Sequence, residues 1–119
     1  MVLFDAYAQS NRACWEVLGN RAVQTLIRDR LVLCVLMVDD RKTLVPEDTI
    51  GFPPISRRRI PTTIGQRNIL LEMEHFKRSS QPLFALVDAD FSPLTEPMGY
   101  VPGKKPELLV AWLEGALGK

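Results

Sequence analysis

The amino-acid sequence predicts an α/β fold with a mixed four-stranded sheet and helices on both faces. Strand-like and helix-like stretches alternate in the order strand, helix, strand, helix, strand, strand, helix. Strands joined by a helical crossover run parallel, whereas a short turn makes the last two strands antiparallel. The chain has 119 residues, of which 46% are hydrophobic and 24% charged, and it contains one run of eight apolar residues. These values are typical of a single globular domain.

The first half of the chain carries two predicted strands and a helical crossover. Residues 2–6 form a short apolar strand. Ser10 and Asn11 can both cap the helical stretch that follows, and Asn20 can cap a second helical piece. Residues 31–38 are the continuous apolar run and are rich in valine and leucine. This run predicts a strand at the centre of the sheet.

A long connection and a third helix follow. Residues 39–61 are polar and contain several prolines, and a loop of this length within a single domain is often functional. Thr62 or Thr63 is then expected to cap a helix that extends to about Lys77. The predicted apolar face of this helix consists of Ile69, Met73 and Phe76.

The last third of the chain predicts a hairpin and a closing helix. Residues 83–87 are apolar, and the Gln81-Pro82 bond directly before them is a candidate for the cis isomer. Residues 94–100 can return as an antiparallel edge strand, since proline is tolerated there. Pro106 suits the first turn of a final helix. The apolar stripe of that helix is expected to contain Leu109, Trp112, Leu113 and Leu117.

Composition and charge exclude several classes of function. The net charge of +1 gives no electrostatic case for binding nucleic acid or a membrane surface. No apolar run approaches the roughly 20 residues of a membrane span, and Cys14 and Cys34 are too few for a disulfide framework or a zinc site. Asp5 interrupts the first apolar stretch, so no signal peptide is visible. The strand-like start directly after Met1 suggests a domain of a longer protein.

Two motifs carry a family resemblance. Residues 5–14 read D-A-Y-A-Q-S-N-R-A-C and follow the thioredoxin-like pattern D-x-Y-A-x-W-C-x-x-C without gaps. Residues 80–82, Ser-Gln-Pro, precede a strand, a hairpin and a closing helix, as in the C-terminal half of a thioredoxin fold. With residues 38–46 and 63–68, these features resemble the soluble thioredoxin-like domain of bacterial thiol:disulfide interchange proteins of the cytochrome c biogenesis type. The resemblance implies a thioredoxin-like βαβαββα fold.

The resemblance also implies where a site would lie. In the family a cis proline, here Pro82, faces a CxxC motif at a helix N-terminus. A thiolate there attacks the substrate disulfide, and the second cysteine resolves the mixed disulfide. Asn11 stands at the position of the first cysteine, and Ser10 at that of the tryptophan. Asparagine is not a sulfur nucleophile, so the resemblance implies a redox-impaired domain that binds a protein or peptide partner around Asn11, Cys14, Gln81 and Pro82.

Alternatives to this interpretation remain open. Cys14 is most simply a small apolar residue under the helix, but it could make the chain a one-cysteine thiol-disulfide oxidoreductase that uses an external thiol. The domain could instead be a structural part of a larger membrane or envelope protein, with a vestigial site and a periplasmic or envelope location. In the family, the second cysteine and the second helical piece are about one helical turn further apart than Cys14 and Asn20 are here. A rival alignment places this missing turn in the loop, and residue 11 then does not correspond to the nucleophile.

Other polar and aromatic residues are expected to be structural. Cys34 is expected to be buried in its apolar strand, and Trp15 and Trp112 are expected to lie in the core. His75 is expected to be exposed and without a partner. Asp88 and Asp90 are expected to form a turn, and Arg57 to Arg59 a solvated loop. Asp39 and Asp40 are expected to cap the end of the second strand or to be a solvated pair. The pattern implies no cofactor, and the paired aspartates are too few for a calcium site.

Overall fold

A computed structural model describes residues 1–6, 12–45, 53–55, 60–99 and 105–118. Within these ranges the chain forms three strands and four helices. The strands are β1 (Val2–Asp5), β2 (Cys34–Met37) and β3 (Leu83–Ala85). The helices are α1 (Arg12–Leu18), α2 (Arg21–Arg30), α3 (Ile64–Phe76) and α4 (Pro106–Ala116). The fold is therefore mixed α/β, as predicted.

The three strands form a mixed sheet in the order β2-β1-β3, so β1 is the central strand. β1 runs parallel to β2, with Val2 opposite Cys34. It runs antiparallel to β3, with Val2 opposite Ala85. The crossover through α1 and α2 accounts for the parallel pair, because a helical connection returns the chain to the same end of the sheet. The predicted parallel pairing of the first two strands is confirmed.

The predicted fourth strand is not confirmed. Met98 and Phe84 exchange two backbone hydrogen bonds of 2.7 and 2.8 Å, and Val87 forms an isolated bridge with Pro93. These contacts align the segment with β3 but do not make it a strand of the sheet. Pro93 and Pro97 lack a backbone N–H, which interrupts a regular ladder. The end of the predicted strand, Tyr100, lies outside the described residues.

The second predicted strand is shorter than expected and lies at the edge of the described sheet. The N–H of Leu31 still donates to Ile27 O of α2, and pairing with β1 begins only where Cys34 N–H donates to Met1 O. Val32, between these points, is 82% exposed. An apolar run does not show which of its residues continue the preceding helix and which pair with a neighbouring strand. The prediction of an eight-residue central strand was therefore wrong.

Helices cover both faces of the sheet. Leu3 and Phe84 are paired across β1 and β3 and face one cluster with α1, α2 and α4. Phe4 and Leu83 are the next pair and face a second cluster with α3, where the Phe4 and Phe76 rings lie 5.7 Å apart. This alternation follows from the two-residue period of a strand. Because both faces of β1 are covered, its side chains from Val2 to Asp5 are all buried.

The buried face of α3 differs from the predicted one. Met73 is 42% exposed, and Ile69 is only partly buried. The buried residues of α3 are Gly65, Arg67, Asn68, Leu71, Glu72 and Phe76. Only Phe76 belongs to both sets. The prediction assumed that the buried face is apolar, whereas this helix buries polar side chains that find partners in other elements.

The long connection between β2 and α3 is anchored at both ends. Leu44 N–H donates to Thr62 O over 3.0 Å, and Thr43 and Thr63 form an antiparallel bridge. In the described middle part, Arg67 Nη2 donates to Pro53 O over 2.8 Å. Residues 39–61 therefore pack against the start of α3 where they are described. Arg57 to Arg59 lie outside the described residues.

The helix ends agree with the local signals in the sequence. Asn20 caps α2, and its Oδ1 accepts hydrogen bonds from the N–H groups of Ala22 and Val23. Thr63 caps α3 through a bond from Gln66 N–H. Pro106 occupies the first turn of α4. Each of these predictions is confirmed, because a cap depends on residues only a few positions apart.

We expect Asn20→Ala to lower the free energy of unfolding by about 1 kcal/mol, the usual cost of removing a side-chain cap. The lost carboxamide leaves two N–H groups of the first turn of α2 without their acceptor. Urea unfolding followed by circular dichroism measures the change. Gln24→Ala on the exposed face of the same helix is the matched control. Equal stability of the two variants would contradict a capping contribution from Asn20.

Candidate functional site

The loop before β3 forms one side of the predicted site. The Gln81-Pro82 peptide bond is cis, as the sequence predicted. Pro82 is buried, and the register that pairs Phe4 with Leu83 brings it to the end of the sheet where β1 finishes at Asp5. The loop therefore lies beside the point at which the chain leaves the central strand toward α1.

Gln81 connects this loop to α3. Its side-chain Nε2 donates to Glu72 Oε1 over 2.8 Å and to Ser79 O over 3.2 Å. The first of these bonds joins residues nine positions apart, one in the middle of a helix and one in a loop. Gln81, predicted as a binding residue, thus has its amide nitrogen held by two internal partners.

Glu72 is the polar residue that the sequence interpretation missed at this site. Its side chain is fully buried, and its Oε2 has no hydrogen-bond partner among the described residues. Burial raises the pKa of this carboxyl from 4.5 to about 7, and the Gln81 hydrogen bond lowers the pKa by a smaller amount. The carboxyl can therefore gain or lose a proton near neutral pH. Glu72 lies four residues from both Asn68 and Phe76, which places all three on one helix face. This spacing from Phe76 could have indicated from the sequence that Glu72 is buried.

Two further buried polar groups lie where β1 and β2 end. Asp5 is 1% exposed, and its Oδ1 accepts a hydrogen bond of 2.9 Å from Ala6 N–H. Asp5 pairs in register with Met37, whose carbonyl accepts a hydrogen bond of 2.9 Å from Asn68 Nδ2. The sequence interpretation used Asp5 as a motif position and as a break in the first apolar stretch, and it assigned no role to Asn68. Buried polar groups therefore concentrate at this end of the sheet.

The other half of the predicted site lies largely outside the described residues. Ser10 and Asn11 lie outside the described residues, and of Cys14 only the backbone is described, within α1. The structure brings Gln81 and Pro82 together with Glu72. The helix that would carry the second cysteine begins one residue after Asn11, at Arg12.

His75 has a partner, contrary to expectation. Its Nε2 lies 2.8 Å from Pro54 O, and its ring packs edge-on against Phe91 with centroids 5.0 Å apart. Phe91 also lies 5.8 Å from Phe76. The residue is half-buried, because the hairpin and the long connection both meet α3 there. These contacts make His75 part of the packing around α3 rather than a solvated side chain.

Two predictions about burial were wrong. Cys34 is exposed as a free thiol, because it lies on the edge strand rather than in the centre of the sheet. Trp15 is 46% exposed on α1. Trp112 is half-buried, and its indole N–H donates to Glu96 O over 2.9 Å. An exposed Cys34 can react with thiol reagents, so experiments on Cys14 need Cys34 removed.

The acidic residues of the hairpin form a turn, as predicted. Asp88 Oδ1 accepts hydrogen bonds of 2.9 Å from the N–H groups of Asp90 and Ser92. In the part of the chain that the structure describes, no group of histidine, cysteine and carboxylate residues could hold a metal ion. None of the described helices is long and apolar enough to cross a membrane.

Two apolar surface pockets lie elsewhere. One has a volume of about 270 Å³ and lies along α3, and the other has about 380 Å³ and lies between α1 and α2. Their linings are Ile60, Pro61, Gln66, Ile69, Leu70 and Met73 for the first, and Trp15, Leu18, Gly19, Gln24, Ile27, Arg28 and Leu33 for the second. Neither lining includes Gln81 or Pro82.

The described residues define a small α/β domain with a three-stranded mixed sheet, four helices and a buried carboxyl beside the loop that precedes β3. No protein-family model matches the chain, and a search of curated proteins found no match either. The sequence motifs and the geometry of this loop are therefore what indicates a function.

Proposed function

We propose that the chain is a thioredoxin-like domain of the thiol:disulfide interchange family that binds a protein or peptide beside Pro82 and turns over disulfides poorly. The proposal combines the resemblance of residues 5–14 and 80–82 with the chemistry of the side chains found there. Asn11 retains a capping side chain but supplies no thiolate. Cys14 alone can form a mixed disulfide but has no second thiol at the CxxC spacing to resolve it.

The observation that carries the proposal is the position of Pro82 at the end of the central strand. β1 is flanked by a parallel strand and an antiparallel strand, and Leu83 pairs with Phe4 near its end. The chain then continues toward α1, which begins at Arg12. A thioredoxin-like site uses this junction of a central strand, a helix start and a proline-containing loop.

The accessible part of the loop indicates how a partner would be held. Ser79 and Ser80 are exposed, Gln81 is half-buried and Pro82 is buried. An extended peptide would therefore meet hydroxyl and backbone groups at residues 79–81 rather than the proline ring. Backbone hydrogen bonds of this kind provide affinity with little sequence preference.

A turnover assay tests the redox part of the proposal. We expect the chain to reduce insulin disulfides no faster than dithiothreitol alone, because a thiolate nucleophile and a resolving thiol are both required. Asn11→Cys restores the CxxC spacing with Cys14 and is expected to give measurable turnover. All variants carry Cys34→Ser, since the exposed Cys34 would otherwise contribute its own thiol.

The variant Cys14→Ala separates the alternatives. If the chain that keeps Asn11 turned over efficiently and lost this activity in Cys14→Ala, the proposal would be overturned in favour of a one-cysteine oxidoreductase. No gain in Asn11→Cys would contradict the alignment that places residue 11 at the nucleophile position. Turnover in Asn11→Cys that disappears on adding Cys14→Ala would support both the alignment and the proposed impairment.

Binding is tested separately with insulin B chain whose cysteines are carbamidomethylated, as an unfolded peptide without thiols. In ¹⁵N NMR titrations, we expect the backbone amides of Ser79, Ser80 and Gln81 to shift. Gln81→Ala should weaken the interaction, whereas Gln24→Ala on the exposed face of α2 should not. An absence of shifts at residues 79–81 would favour a structural domain over a peptide-binding one.

A further inference from the structure

We propose that Glu72 is a proton-dependent positioning residue for the loop of residues 77–82, so that the peptide-binding surface beside Pro82 responds to pH. This inference rests on the proposed function for its binding consequence. Its structural part, the link between the Glu72 proton and the Gln81 side chain, stands independently of any ligand.

The geometry makes Glu72 the internal support of this loop. Gln81 Nε2 donates to Glu72 Oε1 over 2.8 Å, and α3 ends four residues after Glu72, at Phe76. The loop then starts at Lys77, whose φ of 57° turns the chain away from the helix axis. The bond to Glu72 is therefore a tertiary link between the helix and the far end of the loop.

In either protonation state, the Glu72 carboxyl lacks part of the hydrogen bonding that a buried polar group needs. Oε2 is buried and has no hydrogen-bond partner among the described residues. As a neutral acid the group carries an O–H without an acceptor there, and as a carboxylate it carries a buried charge with one donor. The charged form has the stronger demand for another donor or for water. Because Gln81 donates to Oε1 and this bond favours the charged form, we infer that ionisation of Glu72 tightens the bond and holds the loop against α3, whereas protonation loosens it.

Other charges around α3 do not account for the behaviour of Glu72. Burial and the Gln81 hydrogen bond are the two causes of its altered pKa. Among the described residues, the ionisable groups on the elements that pack against α3 are Asp5 at the end of β1, Asp39, Asp40, Arg41 and Lys42 after β2, Lys77 and Arg78 in the loop, and Asp88, Asp90 and Glu96 in the hairpin. None of them is a cause of the shift. Those on α3 itself are Arg67, Glu74 and His75, and none of these contributes either.

Several of these groups are engaged with backbone atoms. Lys77 Nζ donates to Glu74 O over 2.9 Å, and Asp40 Oδ1 accepts from Lys42 N–H over 2.9 Å. Asp88 holds its own turn. His75 lies three residues from Glu72 on the same helix, so its replacement serves as the control.

The experiment is a pH titration of the natural chain between pH 5 and 9 by NMR, without any peptide. We expect the Glu72 carboxyl carbon, the Gln81 side-chain amide and the amides of Ser79 and Ser80 to change with one common midpoint. In Glu72→Gln, which keeps the acceptor oxygen for Gln81, the amide changes should disappear. In His75→Gln they should persist.

Each outcome either supports or overturns the inference. Loop amides that do not change with the Glu72 carboxyl, or that still change in Glu72→Gln, would overturn the inference. If the NMR titration behaves as expected, affinity for the carbamidomethylated insulin B chain should differ at least threefold between pH 5.5 and 8.5 in the natural chain and stay constant in Glu72→Gln. A peptide affinity in the natural chain that is equal at both pH values would overturn the binding consequence, and no binding at either pH would overturn the proposed function while leaving the proton link in place.

Discussion

Replacing Gly65 by alanine is expected to lower the free energy of unfolding by about 3 kcal/mol, at the upper end of the cost of overpacking a core. A Cβ atom on Gly65 would lie 2.6 Å from Val38 O, 2.7 Å from Asp40 N and 2.8 Å from Asp40 O. All three are backbone atoms, which cannot rotate away as a side chain can. Gly65 N–H also donates to Asp40 O over 2.9 Å, so any shift of α3 would strain this bond.

Gly115→Ala is the matched control. Gly115 also lies in a helix, but a Cβ atom there would meet no atom of another described element within 4 Å. We expect Gly115→Ala to raise stability by up to about 1 kcal/mol, because alanine is the better helix former. Urea unfolding of both variants measures the contrast. Equal effects at the two positions would show that the close approach of α3 to the segment after β2 does not exist in solution.

Glu72→Gln is expected to change how stability depends on pH. The folded protein raises the pKa of Glu72 from 4.5 to about 7, so its carboxyl holds a proton more tightly when folded than when unfolded. Stability from this group is fully present below pH 4.5 and is lost as the pH rises through about 7. The total loss corresponds to about 3 kcal/mol, at about 1.4 kcal/mol for each pH unit between the two values.

The comparison is made by urea unfolding at pH 5 and pH 8. Glu72→Gln should be close to the natural chain at pH 5 and more stable by about 2–3 kcal/mol at pH 8, because the amide cannot ionise. Glu96→Gln, an exposed carboxylate in the segment opposite β3, should leave the difference between the two pH values unchanged. If the difference in stability between pH 5 and pH 8 were the same in the natural chain and in Glu72→Gln, Glu72 would not be a buried carboxyl that ionises in this range.

Much of the fold could be predicted because the relevant signals are local. Asn20, Thr63 and Pro106 each mark a helix start through atoms within the same turn. The turn at Asp88 likewise depends on N–H groups two and four residues away. The parallel pairing of β1 and β2 followed from the helical crossover between them. The predicted fourth strand, which depends on pairing along a segment with two prolines, is not part of the sheet.

The candidate site could be predicted only in part. The sequence pointed to Gln81 and Pro82 through a motif, and the structure places Pro82 at the end of the central strand. Glu72 was missed because its importance depends on a side chain nine residues away that reaches back across a loop. Neither the residue type nor its helical spacing predicts which side chain will pack against a buried carboxyl.

The sequence by itself determined the caps of α2 and α3, the start of α4 and the turn of the hairpin, since each depends on near neighbours in the chain. It also predicted the three described strands, but not that the segment after β3 stays outside the sheet. Only the tertiary structure decided that Cys34 lies at an exposed edge, that α3 buries Asn68 and Glu72, and that Gly65 allows close backbone contact. The physical reason is that burial depends on which faces meet after the crossover and the long connection fold back. Such contacts join residues far apart in the chain, as when Asn68 reaches Met37 across 31 positions.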